Sequence, residues 1–417
     1  MKSVLSVWWD GKIAGELRLD AHGDMSFVYC ADWLEDPTRR AISISLAKRE
    51  KPYGRRECRP FFAGLLPEES VRDMVAAALG ISRGNDFELL KALGGDVAGA
   101  LTLWLKGEEP PRYDELVATK PLGDNALIEL LDKLPKRPFL AGQNGLRLSL
   151  AGAQTKLPVV LVNGRIALPA PGQPTTHILK PPIARFPATT ENEAFVMRLA
   201  ADVGLSVAAA MPCKIRDRMY LLVTRYDRTT DPDKKIRRLH QEDFCQALGI
   251  PPERKYASEG GPTFKSGFEL LRNAAARPAV EVLKLLDAAI FNLIAGNADA
   301  HGKNFSLLYG PEDTVLAPLY DLMCTAAYPD LTTKPAMKIA DASSPKDFTT
   351  RTWQKFAEDT KIGATFVRRR VRELALAVHS HAETAAETVA EQGFDNAPIS
   401  RFAAIVQERA ETVGASA

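Results

Sequence analysis

The stretch LIAGNADAHGKNFSLL, Leu293 to Leu308, decides how this chain is read. An apolar run, Ala288 to Ile294, predicts a buried element. It breaks into Asp299, His301, Lys303 and Asn304, and Phe305 turns apolar again. Gly296 and Gly302 argue against one continuous helix carrying an Asp299–Lys303 pair. A break between two anchored segments can instead present polar groups on a cleft floor. Asp299 and Asn304 have the spacing D-x-x-x-x-N of a kinase catalytic loop. Phosphoryl transfer needs a carboxylate to accept the proton of the attacking hydroxyl. It also needs oxygen ligands for Mg2+, a hard cation, and Lys303 can neutralise phosphoryl charge. Further on, the apolar, strand-like segment APLYDLMC, Ala317 to Cys324, delivers Asp321 where a second metal carboxylate should sit.

Working back from that stretch, LPVVLVNGRIALP reads as a hairpin turning on Asn163-Gly164, and THILK as a third strand ending on Lys180. The loop before the hairpin, LSLAGAQTKLP, holds Ala151, Gly152, Ala153 and Gln154. Its small residues would let backbone N–H groups approach an anion, although the same residues also make an ordinary tight turn. Lys180, stiffened by Pro181-Pro182, could meet phosphate oxygens or simply snorkel from an edge strand. Glu193 fits the helix acid that orients such a lysine. It fits equally a capping box over TENE, Thr190 to Glu193.

The remaining segments supply the frame. VLSVWWDGKIAGELRL predicts a hairpin around Asp10-Gly11. LPEESVRDMVAAALG predicts a helix stopped by Gly80, and NDFELLKALGGDVAGALTLWL a helix, a glycine break and a strand. TTENEAFVMRLAADVGLSV predicts a helix ending at Gly204, and CKIRDRMYLLVTRYD a strand pair around Asp217-Arg218. Beyond residue 240 helical spacing dominates: QEDFCQALG, SGFELLRNAA, AVEVLKLLDAAIFNLIAG, TWQKFAEDT and the run from Ala364. KGEEPPRYDE is a polar connector.

These segments resemble the HipA-type serine/threonine kinase toxins of bacterial toxin–antitoxin systems. The matching stretches are FFAGLLPEESVRD, LLKALGGDVAGAL, LSLAGAQTKLP, HILKPP, ENEAF, RYDR, QEDFCQALG, KYASEGGPTF, NADAHGKNFSLL and PLYDLM. The resemblance implies an α+β, two-lobed, protein-kinase-like fold of the phosphoinositide-kinase type. Residues 1–105 would form a β-rich N-terminal subdomain, 106–228 the rest of a mixed lobe, and 229–417 a helical lobe. It implies Asp299 as catalytic base, Asn304 and Asp321 as Mg2+ ligands, and Lys180 at the ATP phosphates. Thr224 to Tyr226, His301 and Lys303 would lie near the nucleotide. It also implies self-phosphorylation at Ser149, which would eject the small-residue loop; a phosphate there would repel those of ATP. The expected cofactors are ATP and Mg2+. The expected partners are a protein substrate, plausibly an aminoacyl-tRNA synthetase or another translation component, and a HipB-like helix-turn-helix antitoxin, with operator DNA met only through that antitoxin. Thr224 and Thr155 depart from the acidic residues some members carry. A catalytically weak antitoxin-bound co-repressor and a small-molecule kinase are the alternatives.

Bulk composition agrees with a large globular protein: 417 residues, 46% hydrophobic, 25% charged, net charge +2. So small a net charge says little about nucleic acid. The basic clusters at Arg55, Arg56 and Arg59, at Lys234, Lys235, Arg237 and Arg238, and at Arg368 to Arg370 read as solvated surface. Five scattered cysteines read as free thiols in a reducing compartment. With neither a signal peptide nor a long apolar run, the expectation is a soluble cytoplasmic protein without membrane contact.

Overall fold

Asp10 and Gly11 have φ of 48° and 69°. Both are left-handed, as a two-residue hairpin of this hand requires. The turn folds Ser3–Trp9 back on Lys12–Leu19, with Ser3 opposite Leu19 and Trp9 opposite Lys12. In this computed structural model, which describes residues 3–111, 119–143, 145–231, 235–310, 313–340, 342 and 344–417, two more strands complete an antiparallel sheet. Met25–Tyr29 adds to one edge and Thr102–Leu105 to the other. One face buries Leu5, Val7, Leu17 and Phe27. Helix Arg55–Gly64 covers it, and the rings of Phe62 and Phe27 lie 5.3 Å apart. Each such side chain contributes roughly 1.5–3 kcal/mol by leaving water.

The local signals hold at most element ends. Gly80 ends Glu69–Leu79 with φ 64°. Asn85 caps Asp86–Leu93 by accepting from the Glu88 N–H. Asn163 and Gly164, at φ 51° and 75°, join Leu157–Val162 to Arg165–Ala167. His177–Lys180 then pairs antiparallel with Leu157–Val162, Leu179 opposite Leu157.

Two segments differ from expectation. QEDFCQALG forms a helix only over Phe244–Ala247, and His240–Asp243 is a strand. The reason is Asp243, whose carboxylate accepts from the Gln246 N–H and starts the helix late. Short strands, Ser306–Tyr309 and Thr314–Leu316 among them, interrupt the helices of the C-terminal part. Residues 112–115 of the polar connector and Lys234 of a basic cluster lie outside the described residues.

The chain divides into two compact units, each discontinuous in sequence. The first comprises Met1–Pro181, Val223–Glu253 and Leu307–Pro311; the second comprises Pro182–Leu222, Arg254–Ser306 and Glu312–Ala417.

The first unit is built around a buried ion cluster. Asp96 is fully buried and meets Arg225 at 3.1 Å, Arg228 at 2.9 Å and Arg238 at 3.1 Å. Its carboxylate also accepts from the Thr175 hydroxyl at 2.6 Å. Arg225 pairs in turn with Asp227 at 2.7 Å, and Asp227 accepts the Gly99 N–H at 2.7 Å. Burial opposes charge on Asp96, but Arg228, Arg225 and Arg238 outweigh it and hold the carboxyl well below its usual range. Arg238 therefore belongs to the interior cluster, against the solvated reading of its sequence run. Arg59 is likewise engaged, with Asp86 at 2.6 Å and Glu253 at 2.5 Å.

Glu242, also fully buried in this unit, accepts from the Ile44 N–H at 3.0 Å and from the hydroxyls of Ser43 and Tyr309. Burial pushes its pKa up to about 7 from 4.5. The folded state then binds the proton more tightly than the unfolded chain. Its contribution to stability is full below about 4.5 and falls as pH rises through about 7. Glu242→Gln, whose amide can serve the same partners, should flatten that part of a thermal-midpoint versus pH curve. An unchanged curve would assign the dependence elsewhere.

The second unit is mainly helical. Its longest elements, Ala364–Ala390 and Asn396–Ala415, pack together and against Pro278–Ala295. Leu285, Leu286, Ile290, Val371, Val378, Ile399 and Val406 form the shared core. Arg370 pairs with Asp287 at 2.6 Å. All five cysteines are free, and no helix among the described residues is long and apolar enough to cross a membrane.

Candidate active site

Helix Pro278–Ala295 ends at Gly296, whose φ of 72° turns the chain out of the helix. A Cβ there would stand 2.8 Å from that of Ala326. Arg409 donates to the carbonyls of Leu293 at 2.6 Å and Ile294 at 3.1 Å, covering the negative end of the helix. The next residues are pinned on several sides. Asn297 donates to Asn292 Oδ1 at 2.8 Å, the Ala298 N–H donates to Thr325 Oγ1 at 2.8 Å, and the Ala336 N–H donates to the Ala298 carbonyl at 2.8 Å.

On this held loop Asp299 is exposed, and Tyr256 donates its hydroxyl to Asp299 Oδ1 at 2.9 Å. The ring of His301 meets Tyr256 edge-on at 5.3 Å. The Gly302 N–H donates to the Lys255 carbonyl at 3.1 Å, and Pro262 Cγ lies 2.4 Å from where a Cβ of residue 302 would be, so only glycine fits. A 3-10 turn, Gly302–Asn304, follows. His301 and Lys303 are buried, and Asn304 Oδ1 is buried with no hydrogen-bond donor among the described residues.

Asp321 reaches the same loop by a different route from that expected. Its segment is no strand: only Leu319 forms a bridge, parallel to Val207. Asp321 has a left-handed φ of 53°, a conformation Asp tolerates better than most residues. Tyr320 donates to the Lys303 carbonyl at 2.6 Å and shares a hydrogen bond with Ser306 at 2.9 Å. Beyond the turn, Asn192, fully buried, accepts from the Cys324 N–H at 2.7 Å and donates to its carbonyl at 3.1 Å. A turn fixed at both ends thus carries Asp321 against the Asp299–Asn304 loop.

No group of three or more His, Cys, Asp or Glu side chains is placed to hold a metal among the described residues. Magnesium does not require one. It is held through one or two carboxylates plus waters and substrate phosphates. The buried Asn304 amide oxygen, which has no donor among the described residues, fits such an ion, and so does a carboxylate on the constrained turn at Asp321.

The other expected site residues lie in the first unit, apart from Glu193. Ser149 is fully buried; its hydroxyl donates to the Leu65 carbonyl at 2.7 Å and its N–H to the Asp96 carbonyl at 3.0 Å. In the following loop Gly152 has φ 115°, and its N–H donates to Glu68 Oε1 at 3.1 Å. The Glu68 N–H returns a bond to the Gly152 carbonyl at 3.2 Å, and Lys156 donates to the Ala151 carbonyl at 3.0 Å. The loop does present an N–H to an anion, and the anion there is a carboxylate of the chain itself. Ala153 and Gln154 are half-buried. Lys180 is buried at its strand's end, Thr224 is exposed, and Tyr226 donates to Gln241. Glu193 is buried in the second unit. The capping box over Thr190 to Glu193 does not form: the helix starts at Thr189, and Ala188, left-handed at φ 54°, is its cap. Glu68, Tyr256, Arg409 and Asn192 were not singled out from sequence; each acts on residues far away in the chain.

A kinase-like α+β fold, with Asp299 and Asn304 on one pinned loop and Asp321 on a turn whose neighbouring Tyr320 bonds to that loop, defines the class. Residues 148–386 match the HipA-like C-terminal domain and residues 5–104 the HipA N-terminal domain. The chain belongs to the HipA family of serine/threonine-protein kinases. It is 57% identical to the protein Y4mE of Sinorhizobium fredii over 98% of both chains. It is 32% identical to the serine/threonine-protein kinase toxin HipA of Shewanella oneidensis over 79% of this chain and 77% of that one. Among solved structures, the Shewanella oneidensis complex of HipA, HipB and operator DNA matches with a TM-score of 0.83 at 26% identity, covering 98% of this chain and 96% of the other.

Proposed function

We propose that the chain uses ATP and Mg2+ to phosphorylate serine or threonine of a protein target, and itself at Ser149, as a toxin held in check by a HipB-like antitoxin. The observation that carries the reading is the Asp299–Asn304 loop with Asp321 turned against it and a buried amide oxygen left without a donor. Asp299 accepts the proton of the attacking hydroxyl, whose oxygen bonds to the γ-phosphorus as the bond to the β-phosphate oxygen breaks and ADP leaves. Asn304 and Asp321 would hold Mg2+, which would neutralise charge on the phosphate oxygens. Lys180 and the Ala151–Gln154 loop take phosphate oxygens, His301 and Lys303 support the phosphates, and Thr224 and Tyr226 lie toward the base. The likeness to a HipA solved with HipB and operator DNA supports the antitoxin partner, and through it contact with DNA.

The test is labelling with γ-labelled ATP, followed by phosphopeptide mapping. Ser149→Ala should remove the self-phosphate; an unaltered map would rule that serine out. Phosphoproteomes of cells expressing the chain or its Asp299→Ala form should differ at serine or threonine of a translation component. Identical phosphoproteomes would overturn the protein-kinase reading.

A further inference from the structure

The second unit carries a cavity that none of the proposed nucleotide roles uses. It encloses about 310 Å³ beside the N-terminus of helix Phe264–Ala274. Its floor is apolar: Phe264 and Phe356 are buried, with ring centroids 6.0 Å apart. Its rim is cationic. Lys265 and Lys338 are exposed there, and neither makes an ion pair among the described residues. Ser258 adds a hydroxyl, and Asp359 is the one carboxylate among the described lining residues. The described lining thus carries two ammonium groups and one carboxylate, with a floor able to take a short side chain.

The cavity's position gives it meaning. Its wall residue Ala257 donates its N–H to the Ala336 carbonyl at 3.0 Å, and the Ala336 N–H donates to the Ala298 carbonyl at 2.8 Å. Ala298 precedes Asp299, and Tyr256, which precedes Ala257, donates its hydroxyl to the Asp299 carboxylate at 2.9 Å. From the other side, Phe264 of the floor meets Phe305, the residue after Asn304, at 6.0 Å. The cavity wall and the candidate catalytic loop are therefore one hydrogen-bonded piece.

We infer that this cavity seats the acceptor polypeptide and selects a segment with Asp or Glu close to the serine or threonine to be modified. An extended chain advances about 3.3–3.6 Å per residue. A side chain anchored in the cavity thus sets which hydroxyl comes to Asp299. The inference deepens the kinase reading and rests on it for its purpose, but its test does not pass through catalysis.

Fluorescence anisotropy of labelled serine peptides, measured on the full chain without nucleotide, decides it. A peptide with acidic flanks should bind roughly tenfold tighter than its lysine-flanked counterpart, the scale of two exposed ion pairs. Lys265→Glu/Lys338→Glu should abolish or reverse that preference while Mg2+-ATP affinity stays at the wild-type value. Equal binding of the two peptides, failure of both to bind, a preference that survives charge reversal, or tight binding of duplex DNA without discrimination among peptides would overturn the site. If the wild-type chain binds no ATP, the kinase reading fails, and the peptide comparison still decides this one.

Discussion

Asp299→Asn should reduce phosphoryl transfer by roughly 10²–10⁴-fold, the range expected when a general base is lost. The substitution keeps the shape and the oxygen that accepts from Tyr256, so the loop should stay in place. Affinity for Mg2+-ATP should change little, because the base proposed here would act on the hydroxyl and not on the nucleotide. Asp321→Asn should behave differently. If Asp321 holds the metal as proposed, the concentration of Mg2+ needed for half-maximal activity should rise as the rate falls. The two effects separate on a plot of initial rate against Mg2+. A rate within threefold of wild type for Asp299→Asn would remove that residue from the proposed chemistry.

Asp96→Ala carries the largest expected effect on stability. It would leave Arg225 and Arg228 sharing Asp227 and take from Arg238 the carboxylate it pairs with, inside the first unit. Removing one partner of a buried ion pair costs about 3–5 kcal/mol, since the remaining charges stay desolvated. At about 2–4 °C per kcal/mol for a body of this size, the thermal midpoint should drop by roughly 6–20 °C. The sign with pH follows from the lowered carboxyl. Its stabilising contribution is present above the ordinary value of 3.8 and is lost only as pH falls through the folded value. The difference between wild type and variant should persist at neutral pH and close in strong acid. A loss under about 1 kcal/mol would mean that the arginines find solvent or other partners.

Much of this molecule is legible from local chemistry. Asp10-Gly11 and Asn163-Gly164 mark hairpins because few other pairs tolerate two left-handed residues in succession. Gly80 and Gly296 mark helix ends for a related reason, so the break that presents Asp299 was readable. What stayed hidden depends on distant partners. Nothing near Glu68 announces that it will meet Gly152, nor near Arg409 that it will cover the end of another helix. Arg238 looked like surface because its neighbours in sequence are basic; Asp96, far upstream, draws it inward. Thr190 offered a plausible cap, but the chain enters that helix through a left-handed Ala188 instead. Asp321 looked strand-borne because its neighbours are apolar, yet those side chains serve a turn.

The discontinuity of the first unit bears on how the polypeptide could be divided. A break anywhere between the two family regions, 5–104 and 148–386, would put Asp96 on one fragment and Arg225, Arg228 and Arg238 on the other. The first fragment alone would carry Asp96 without its arginines, the second would keep only Asp227 against them, and mixing the two would complete the cluster. Such halves should behave as a reconstitution pair, in which assembly of the ion cluster would report that the fragments have met.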